Sequence, residues 1–150
     1  MNALLAEPLT LPCGAVLPNR ILKSAMSEIL GTPRHAPSAG LPVLYRRWAQ
    51  GGVGLSITGN VVIDRRALGE PDNVVIEDDR DLGALRGWAA AAKSEGGAVW
   101  MQLNHPGKQS PRFLSPETVA PSAVGFGPAL AAAFAVPRAG LMPLGNMRPH

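Results

Sequence analysis

The chain has 150 residues, 46% of them hydrophobic and 17% charged, which is typical of one globular domain and excludes an intrinsically disordered chain. The net charge of +3 comes from scattered basic residues without a long basic run, so nucleic-acid binding ranks last among the function classes. The single cysteine, Cys13, excludes an internal disulfide and a thiolate zinc cluster.

The first half of the chain predicts a hairpin, a strand and a helix. Leu9–Leu17 holds two short apolar stretches around a Pro-Cys-Gly turn, which is typical of a β-hairpin. Ile21–Met26 is a strand candidate, and a loop rich in Gly, Pro and Ser follows at Leu30–Pro42. Val43–Gln50 places apolar side chains on one helical stripe, and Gly51 follows where glycine commonly ends a helix.

Two further strands flank a second helix. Val53–Thr58 is apolar enough to be buried on both faces, as strands of parallel sheets are. Asp81 is a candidate cap for a helix running to about Glu95, and Ala98–Leu103 is the third strand. The order strand, helix, strand, helix, strand predicts right-handed βαβ units, and therefore an α/β fold with a parallel sheet.

The segments that follow the strands distinguish a barrel from a doubly wound sheet. No GxGxxG or P-loop motif stands at any predicted strand exit, so the nucleotide-binding fingerprints of a doubly wound sheet are missing. Polar residues follow the three strands instead, within Ala25–Glu28, Thr58–Asn60 and Gln102–His105. Polar groups at the carboxyl ends of successive strands are typical of the active-site face of a TIM barrel. We therefore predict a (β/α)8 TIM barrel, represented here by the N-terminal hairpin and about three βα units.

Four ordered blocks of sequence carry a resemblance to a known family. The blocks are LPNRILKSAMSE (Leu17–Glu28), GGVGLSITGNVVIDRRALG (Gly51–Gly69), MQLNHPGKQ (Met101–Gln109) and VAPSAV (Val119–Val124). Together they resemble the Old Yellow Enzyme family of FMN-dependent ene-reductases and NAD(P)H:flavin oxidoreductases. The resemblance extends from near Glu7 to about Ala139. It therefore implies that residues 1–139 are the N-terminal part of a TIM-barrel flavin oxidoreductase domain of the FMN-linked type.

The end of the sequence departs from the family pattern. Residues 140–150 form an atypical tail, for which we expect a truncation, a frameshift or a deliberate fragment. Before the tail, Ala129–Ala135 could form one or two helical turns.

The resemblance implies a two-step redox reaction with FMN as the cofactor and NAD(P)H as the co-substrate. Hydride passes from NAD(P)H to the flavin and then to an activated alkene or enone. The family residues that hold the substrate and donate the proton are expected beyond residue 150, so no catalytic residue is assigned here. The alternative is a truncated, non-catalytic remnant without bound cofactor.

The same resemblance assigns cofactor-binding roles at the three strand exits. The assigned residues are Ser24, Ala25, Met26, Ser27, Gly59 and Gln102. Ser27 stands at the position whose hydroxyl tunes the flavin by a hydrogen bond near O4. Gln102 matches the amide that binds the pyrimidine edge, since a carboxamide both donates and accepts. Gly59 matches the position that packs under the ring, with a simple chain turn as the alternative.

Other conspicuous residues have interpretations that involve no cofactor. We expect the tryptophans to be core residues: Trp48, Trp88 and Trp100. Arg65 and Arg66 are either a solvated pair or part of the active-site rim, and Glu28 either faces the pocket or is solvated. His105 shapes the loop after the third strand, and Asn104 is a hydrogen-bonding residue of the same loop.

Composition and the first residues also set expectations about location and partners. No stretch approaches the roughly 18 apolar residues of a membrane span, and the start of the chain lacks the basic residues of a signal peptide. No histidine cluster has metal-ligand spacing, so we expect no metal. We therefore expect a cytoplasmic protein that contacts neither nucleic acid nor membrane and is compatible with a homo-oligomer. The resemblance adds a small-molecule alkene or enone as the expected substrate.

Overall fold

Two parallel sheets of three strands each carry the fold. The computed structural model describes residues 3–111, 113–115, 117–122 and 127, and the backbone of residues 146–149. The strands are β1 (Leu9–Thr10), β2 (Val16–Leu17), β3 (Leu22–Lys23), β4 (Leu55–Ile57), β5 (Val61–Val62), β6 (Val74–Val75), β7 (Ala98–Trp100), β8 (Leu103–Asn104), β9 (Glu117–Ala120) and β10 (Asn146–Pro149). The helices are α1 (Ala3–Ala6), α2 (Gly40–Gln50) and α3 (Leu82–Ala92), and a 3-10 turn spans Gly107–Gln109.

The first sheet has the strand order β3-β4-β7, with all neighbours parallel. Helix α2 connects β3 to β4, and α3 precedes β7, so each connection is a βα crossover. This is the order of three consecutive βα units, as the sequence predicts. The antiparallel pair β1 and β2 is the predicted hairpin, with Leu9 opposite Leu17.

The second sheet has the order β6-β5-β8 and continues two strands of the first. Strand β5 follows β4 after a gap of three residues, and strand β8 follows β7 after a gap of two. Between them, the Gln102 backbone N–H donates to Thr58 Oγ1 at 2.9 Å instead of to a backbone carbonyl. A side-chain oxygen therefore replaces a ladder acceptor. For this reason the single predicted strand Ala98–Leu103 is divided into two.

The core lies between the two long helices and strands β5 and β6 of the second sheet. Its buried members are Leu41, Tyr45, Val61, Val74, Trp88 and Ala92. The Tyr45 ring meets the rings of Trp48 and Trp88 edge to face, at centroid distances of 4.8 and 5.2 Å. The prediction that Trp48 and Trp88 are core residues is confirmed. The prediction for Trp100 is wrong, since it lies on the edge strand β7 and is 50% exposed.

Several element boundaries differ from the predicted ones for physical reasons. Helix α2 begins at Gly40, before the predicted start, because Pro42 is tolerated in a first turn that needs no N–H donor there. Strand β3 is shorter than predicted, since pairing with β4 stops at Lys23. Asp81 stands at the N-cap of α3, but its side chain makes no capping hydrogen bond.

The C-terminal part of the chain is described in part. The predicted helical turns at Ala129–Ala135 lie outside the described residues. In the tail, the backbone of β10 pairs in parallel with β9. Among the described helices, none is both long and apolar enough to cross a membrane. Within the same residues, no group of three or more potential metal ligands is assembled.

Candidate functional site

The predicted cofactor-binding residues lie at one edge of the first sheet. Ser24–Ser27 directly follow β3, Gly59 follows β4, and Gln102 follows β7. The carboxyl ends of parallel neighbours meet at the same edge of a sheet, and the contacts described next join these three segments to one another.

Gly59 is the point of closest approach between the first two exits. A Cβ atom at this position would overlap the Met26 carbonyl oxygen and the Glu28 carboxylate. The Gly59 N–H donates to Glu28 Oε1 at 3.2 Å. Its backbone is not among the left-handed glycines, so a turn does not require glycine here. The missing side chain makes room for the first strand exit.

Gln102 is fixed through its backbone and free at its side chain. Its N–H donates to Thr58 Oγ1, and its carbonyl accepts from the Val61 N–H at 3.0 Å. The side chain is exposed, and none of its hydrogen bonds is made to a described residue. The carboxamide is therefore available to a ligand at this edge.

Ser27 is exposed, but its hydroxyl already has a partner. It donates to the Glu70 carboxylate, and the Asn60 amide donates to it at 3.5 Å. Asn73 holds Glu70 in turn, with its Nδ2 3.2 Å from Glu70 Oε2. A serine hydroxyl has one proton, so Ser27 directs that proton toward Glu70.

The remaining residues of the first exit are open to solvent to different degrees. Ser24 is exposed, Ala25 is half-buried, and Met26 is 49% exposed. No hydrogen bond to the described part of the chain involves the Ser24 hydroxyl. The segment therefore presents two small side chains, the exposed Met26 side chain and backbone groups at the sheet edge.

A buried ion pair lies directly beneath this edge. Lys23 Nζ is 3.3 Å from Glu28 Oε1, 3.2 Å from the Tyr45 hydroxyl and 2.7 Å from the Ile57 carbonyl oxygen. The two charged side chains are only 7% and 8% exposed. The Tyr45 hydroxyl also donates to Glu28 Oε1, at 2.5 Å. The solvated alternative for Glu28 is therefore wrong, because this carboxylate is buried against three donors.

The lysine ammonium is also surrounded by aromatic rings. Lys23 Nζ lies 4.5 Å from the centroid of Trp48 and 5.0 Å from that of Tyr45. Ring faces at such distances attract a cation. Sequence reasoning missed this cluster, which we call the Lys23 cluster (Lys23, Glu28 and Tyr45). The sequence offered only a lysine and a glutamate on either side of Ser24–Ser27, and neither residue type indicates burial.

Tyr45 provides a direct test of the Lys23 cluster, since it is the single tyrosine of the chain. Burial, and then its hydrogen bond to Glu28, raise the pKa of Tyr45 well above its ordinary value. An unfolded tyrosine ionises near pH 10, about the ordinary value. The stability from a raised pKa is complete below about pH 10 and is lost as the pH rises further, because only the unfolded chain then releases the proton.

We therefore expect no phenolate absorbance from the folded chain at a pH where the urea-unfolded chain is fully ionised. Phenolate should appear together with the loss of helical circular dichroism. The ordinary pKa of tyrosine is about 10. If a phenolate signal appears near that pH while the chain keeps its circular dichroism, the burial of Tyr45 is contradicted.

The two neighbouring arginines have different surroundings. Arg66 is highly exposed and pairs with Asp64, and its guanidinium holds the pKa of that carboxyl at about 2. Arg65 pairs with Glu77 and lines a cleft, together with residues from two other segments. The solvated interpretation therefore fits Arg66, whereas Arg65 belongs to a concave surface.

Of the two residues predicted to lie in the loop after the third strand, His105 lies in the loop and Asn104 does not. His105 Nδ1 accepts a hydrogen bond from the Gly107 N–H at 3.1 Å, which confirms that His105 shapes this loop. Asn104 is a residue of β8 and not of the loop, and its carbonyl accepts from the Ile63 N–H at 3.2 Å.

A family model and several curated proteins match most of this chain. The model of the NADH:flavin oxidoreductase / NADH oxidase family matches residues 5–137. The NADH-dependent flavin oxidoreductase iliE of Hypocrea jecorina (strain QM6a) is 38% identical over 129 residues, which cover 79% of this chain and 32% of the relative. The chain spans about a third or less of the length of the curated relatives it matches.

Solved structures agree with this similarity. Morphinone reductase in complex with tetrahydroNAD matches with a TM-score of 0.78 and 26% identity, over 97% of this chain and 40% of the other. The Old Yellow Enzyme homologue from Zymomonas mobilis matches with a TM-score of 0.75 and 25% identity, over 96% of this chain and 39% of the other. The predicted fold, part of a TIM barrel, is confirmed by these matches.

Proposed function

The chain belongs to the NADH:flavin oxidoreductase / NADH oxidase family, and from this membership we propose that it contributes the first three strand exits of an FMN site. The observation that supports the proposal is the convergence of Ser24–Ser27, Gly59 and Gln102 at one edge of a parallel sheet. The reaction that we propose is the transfer of hydride from NAD(P)H, through FMN, to an activated alkene such as an enone.

The residues at this edge fit the chemistry of a flavin ring. The pyrimidine edge of the ring offers alternating N–H and C=O groups, and the free carboxamide of Gln102 can both accept and donate to such a pair. The segment Ser24–Met26 is exposed or half-buried and carries no large polar side chain, so its backbone can approach a flat ring closely. Gly59 lies against this segment, and its missing side chain leaves room for the Met26 carbonyl.

Bound FMN would supply the redox chemistry, which is the acceptance and donation of hydride. Gln102 would orient the ring, because its backbone is fixed to Thr58 and Val61. Ser27 would act together with Glu70, since its single proton is directed to that carboxylate. For the Ser27 hydroxyl to donate to the ring, it would have to rotate away from Glu70, and Asn60 would remain beside it.

The Lys23 cluster would support the site from below. Glu28 holds the Gly59 N–H and the Lys23 ammonium, so one carboxylate connects the first exit to the second. Lys23 extends the connection to the Ile57 carbonyl at the end of β4. These contacts restrict the movement of Ser24–Ser27, and a restricted site loses less entropy when a ligand binds.

The test is a titration of the full 150-residue chain with FMN, followed by flavin fluorescence. We expect micromolar binding and bleaching of the bound flavin by NADPH or NADH under anaerobic conditions. Gln102→Ala should weaken binding by up to about thirtyfold, since at most two hydrogen bonds at about 1 kcal/mol each are lost. Gln50→Ala, at the exposed end of α2, is the matched control and should bind as the parent chain does.

Two results would contradict the proposal. One is a folded chain, with native circular dichroism, that leaves flavin fluorescence unchanged. That outcome favours the alternative of a non-catalytic remnant without cofactor. The other is binding that Gln102→Ala leaves at the parent affinity, which would place the flavin elsewhere.

A further inference from the structure

We propose that an arginine-lined cleft in the loops that follow the parallel strands binds the phosphate groups of a nucleoside diphosphate. Seven residues line the cleft: Pro33, Arg34, His35, Ala36, Arg65, Arg80 and Asp81. Its volume is about 610 Å³. Sites for organic ligands commonly measure about 300–1,000 Å³, so the cleft is large enough for a nucleotide.

The basic residues of the cleft come from three separate segments. Arg34 and His35 lie in the loop after β3, Arg65 follows β5, and Arg80 precedes α3. These segments are the loops that follow parallel strands, so the cleft opens on the same face as the proposed FMN site. The assembly of three guanidinium groups from distant positions is therefore a product of the fold.

Acidic neighbours orient two of these arginines without covering them. Arg65 Nε donates to Glu77, and Arg80 donates to Asp78 through Nε and one terminal nitrogen. Each guanidinium has five N–H donors, so donors remain free on both. Arg34 forms no ion pair with any described residue, and Asp81 is the acidic side chain in the cleft lining.

The loop that carries Arg34 is held in a defined shape. The Thr32 N–H donates to the Ala36 carbonyl at 2.8 Å, and the Ala36 N–H donates to Thr32 Oγ1 at 3.1 Å. His35 has a left-handed backbone, with φ of 64°, and its carbonyl accepts from the Val75 N–H at 2.9 Å. The cleft is therefore preorganised, which lowers the entropy lost on binding.

Phosphate is the anion that this arrangement favours. The planar guanidinium group of arginine can donate two parallel hydrogen bonds to two oxygens of one phosphate. Several guanidinium groups around one cleft can therefore bind adjacent phosphates. Two sources carry such a group beside a flavin site: the diphosphate of NAD(P)H, and the diphosphate of a coenzyme A thioester. Only the choice of these two molecules as ligands rests on the proposed function. Binding of a nucleoside diphosphate in the cleft does not itself require FMN.

The experiment is calorimetric titration of the full chain with ADP, in the absence of FMN. We expect saturable binding that Arg34→Ala weakens by about tenfold, because a hydrogen bond between charged groups is lost. Arg80→Gln should weaken it as well. The matched control is Arg46→Ala, an exposed arginine of α2 that lies outside the cleft lining, and it should bind ADP as the parent does.

Competition then distinguishes the two sources. Displacement of ADP by NADH or NADPH assigns the cleft to the co-substrate, and displacement by coenzyme A assigns it to a thioester substrate. Either result supports the phosphate site, whether or not the chain binds FMN. Absence of ADP binding, equal binding by the parent and Arg34→Ala, or ADP that none of these molecules displaces would overturn the proposal.

Discussion

Replacing Glu28 by glutamine should lower the free energy of unfolding by about 3–5 kcal/mol, the range for breaking a buried ion pair. The variant keeps the size of the side chain but removes the charge opposite Lys23. The ammonium then remains buried, with the Ile57 carbonyl and the Tyr45 hydroxyl as its neutral partners. Urea unfolding followed by tryptophan fluorescence measures the change.

A second variant and a control separate charge from packing. The double variant Lys23→Met with Glu28→Gln leaves no unpaired charge, so it should recover most of the lost stability. Arg66→Gln removes one partner of the exposed pair with Asp64, and we expect it to unfold as the parent does. A single Glu28→Gln variant as stable as the parent would show that the Lys23–Glu28 pair is not buried.

The order of the main elements could be predicted because it depends on local sequence. Val53–Thr58 is an apolar run, and Gly51 marks the end of the preceding helix; the structure places β4 and α2 in these regions. The short strands β5 and β6 were missed, since two residues of strand are too few for any periodicity. Their pairing depends on contacts across the sheet, which no local pattern contains.

The positions of the candidate site followed from topology. Once three strands are parallel and adjacent, their carboxyl ends meet, so the proximity of Met26, Gly59 and Gln102 follows from the predicted order. The roles given to these residues came from the family resemblance and remain proposals. The partner of the Ser27 hydroxyl, Glu70, could not be predicted, because it lies 43 positions away in a loop.

The Lys23 cluster could not be predicted, for a different reason. Lysine and glutamate are almost always exposed, so the ordinary expectation for Lys23 and Glu28 is a solvated position. They are buried here because β3 turns Lys23 toward Trp48 and Tyr45 of α2. Contact between a strand and the helix that follows it decides their burial, and such contacts are absent from a local pattern.

Gly59→Ala should also be strongly destabilising, by about 3 kcal/mol, near the upper end of the usual cost of overpacking. The added methyl group would overlap the Met26 carbonyl and the Glu28 carboxylate. A backbone carbonyl cannot rotate away as a flexible side chain can. The first strand exit must therefore move, and movement of Ser24–Ser27 should abolish FMN binding in the fluorescence titration. Urea unfolding measures the loss of stability in the same preparation.

Gly87→Ala is the matched control for the same chemical change. Gly87 lies within α3, and a Cβ there meets no atom within 4 Å. Alanine is favoured over glycine in a helix interior by about 1 kcal/mol, so this variant should be more stable than the parent. Opposite signs for the two glycine replacements are the expected result. If Gly59→Ala were as stable as Gly87→Ala and bound FMN with the parent affinity, the close contact between the first and second strand exits would be refuted, and with it the shared edge on which the proposed FMN site depends.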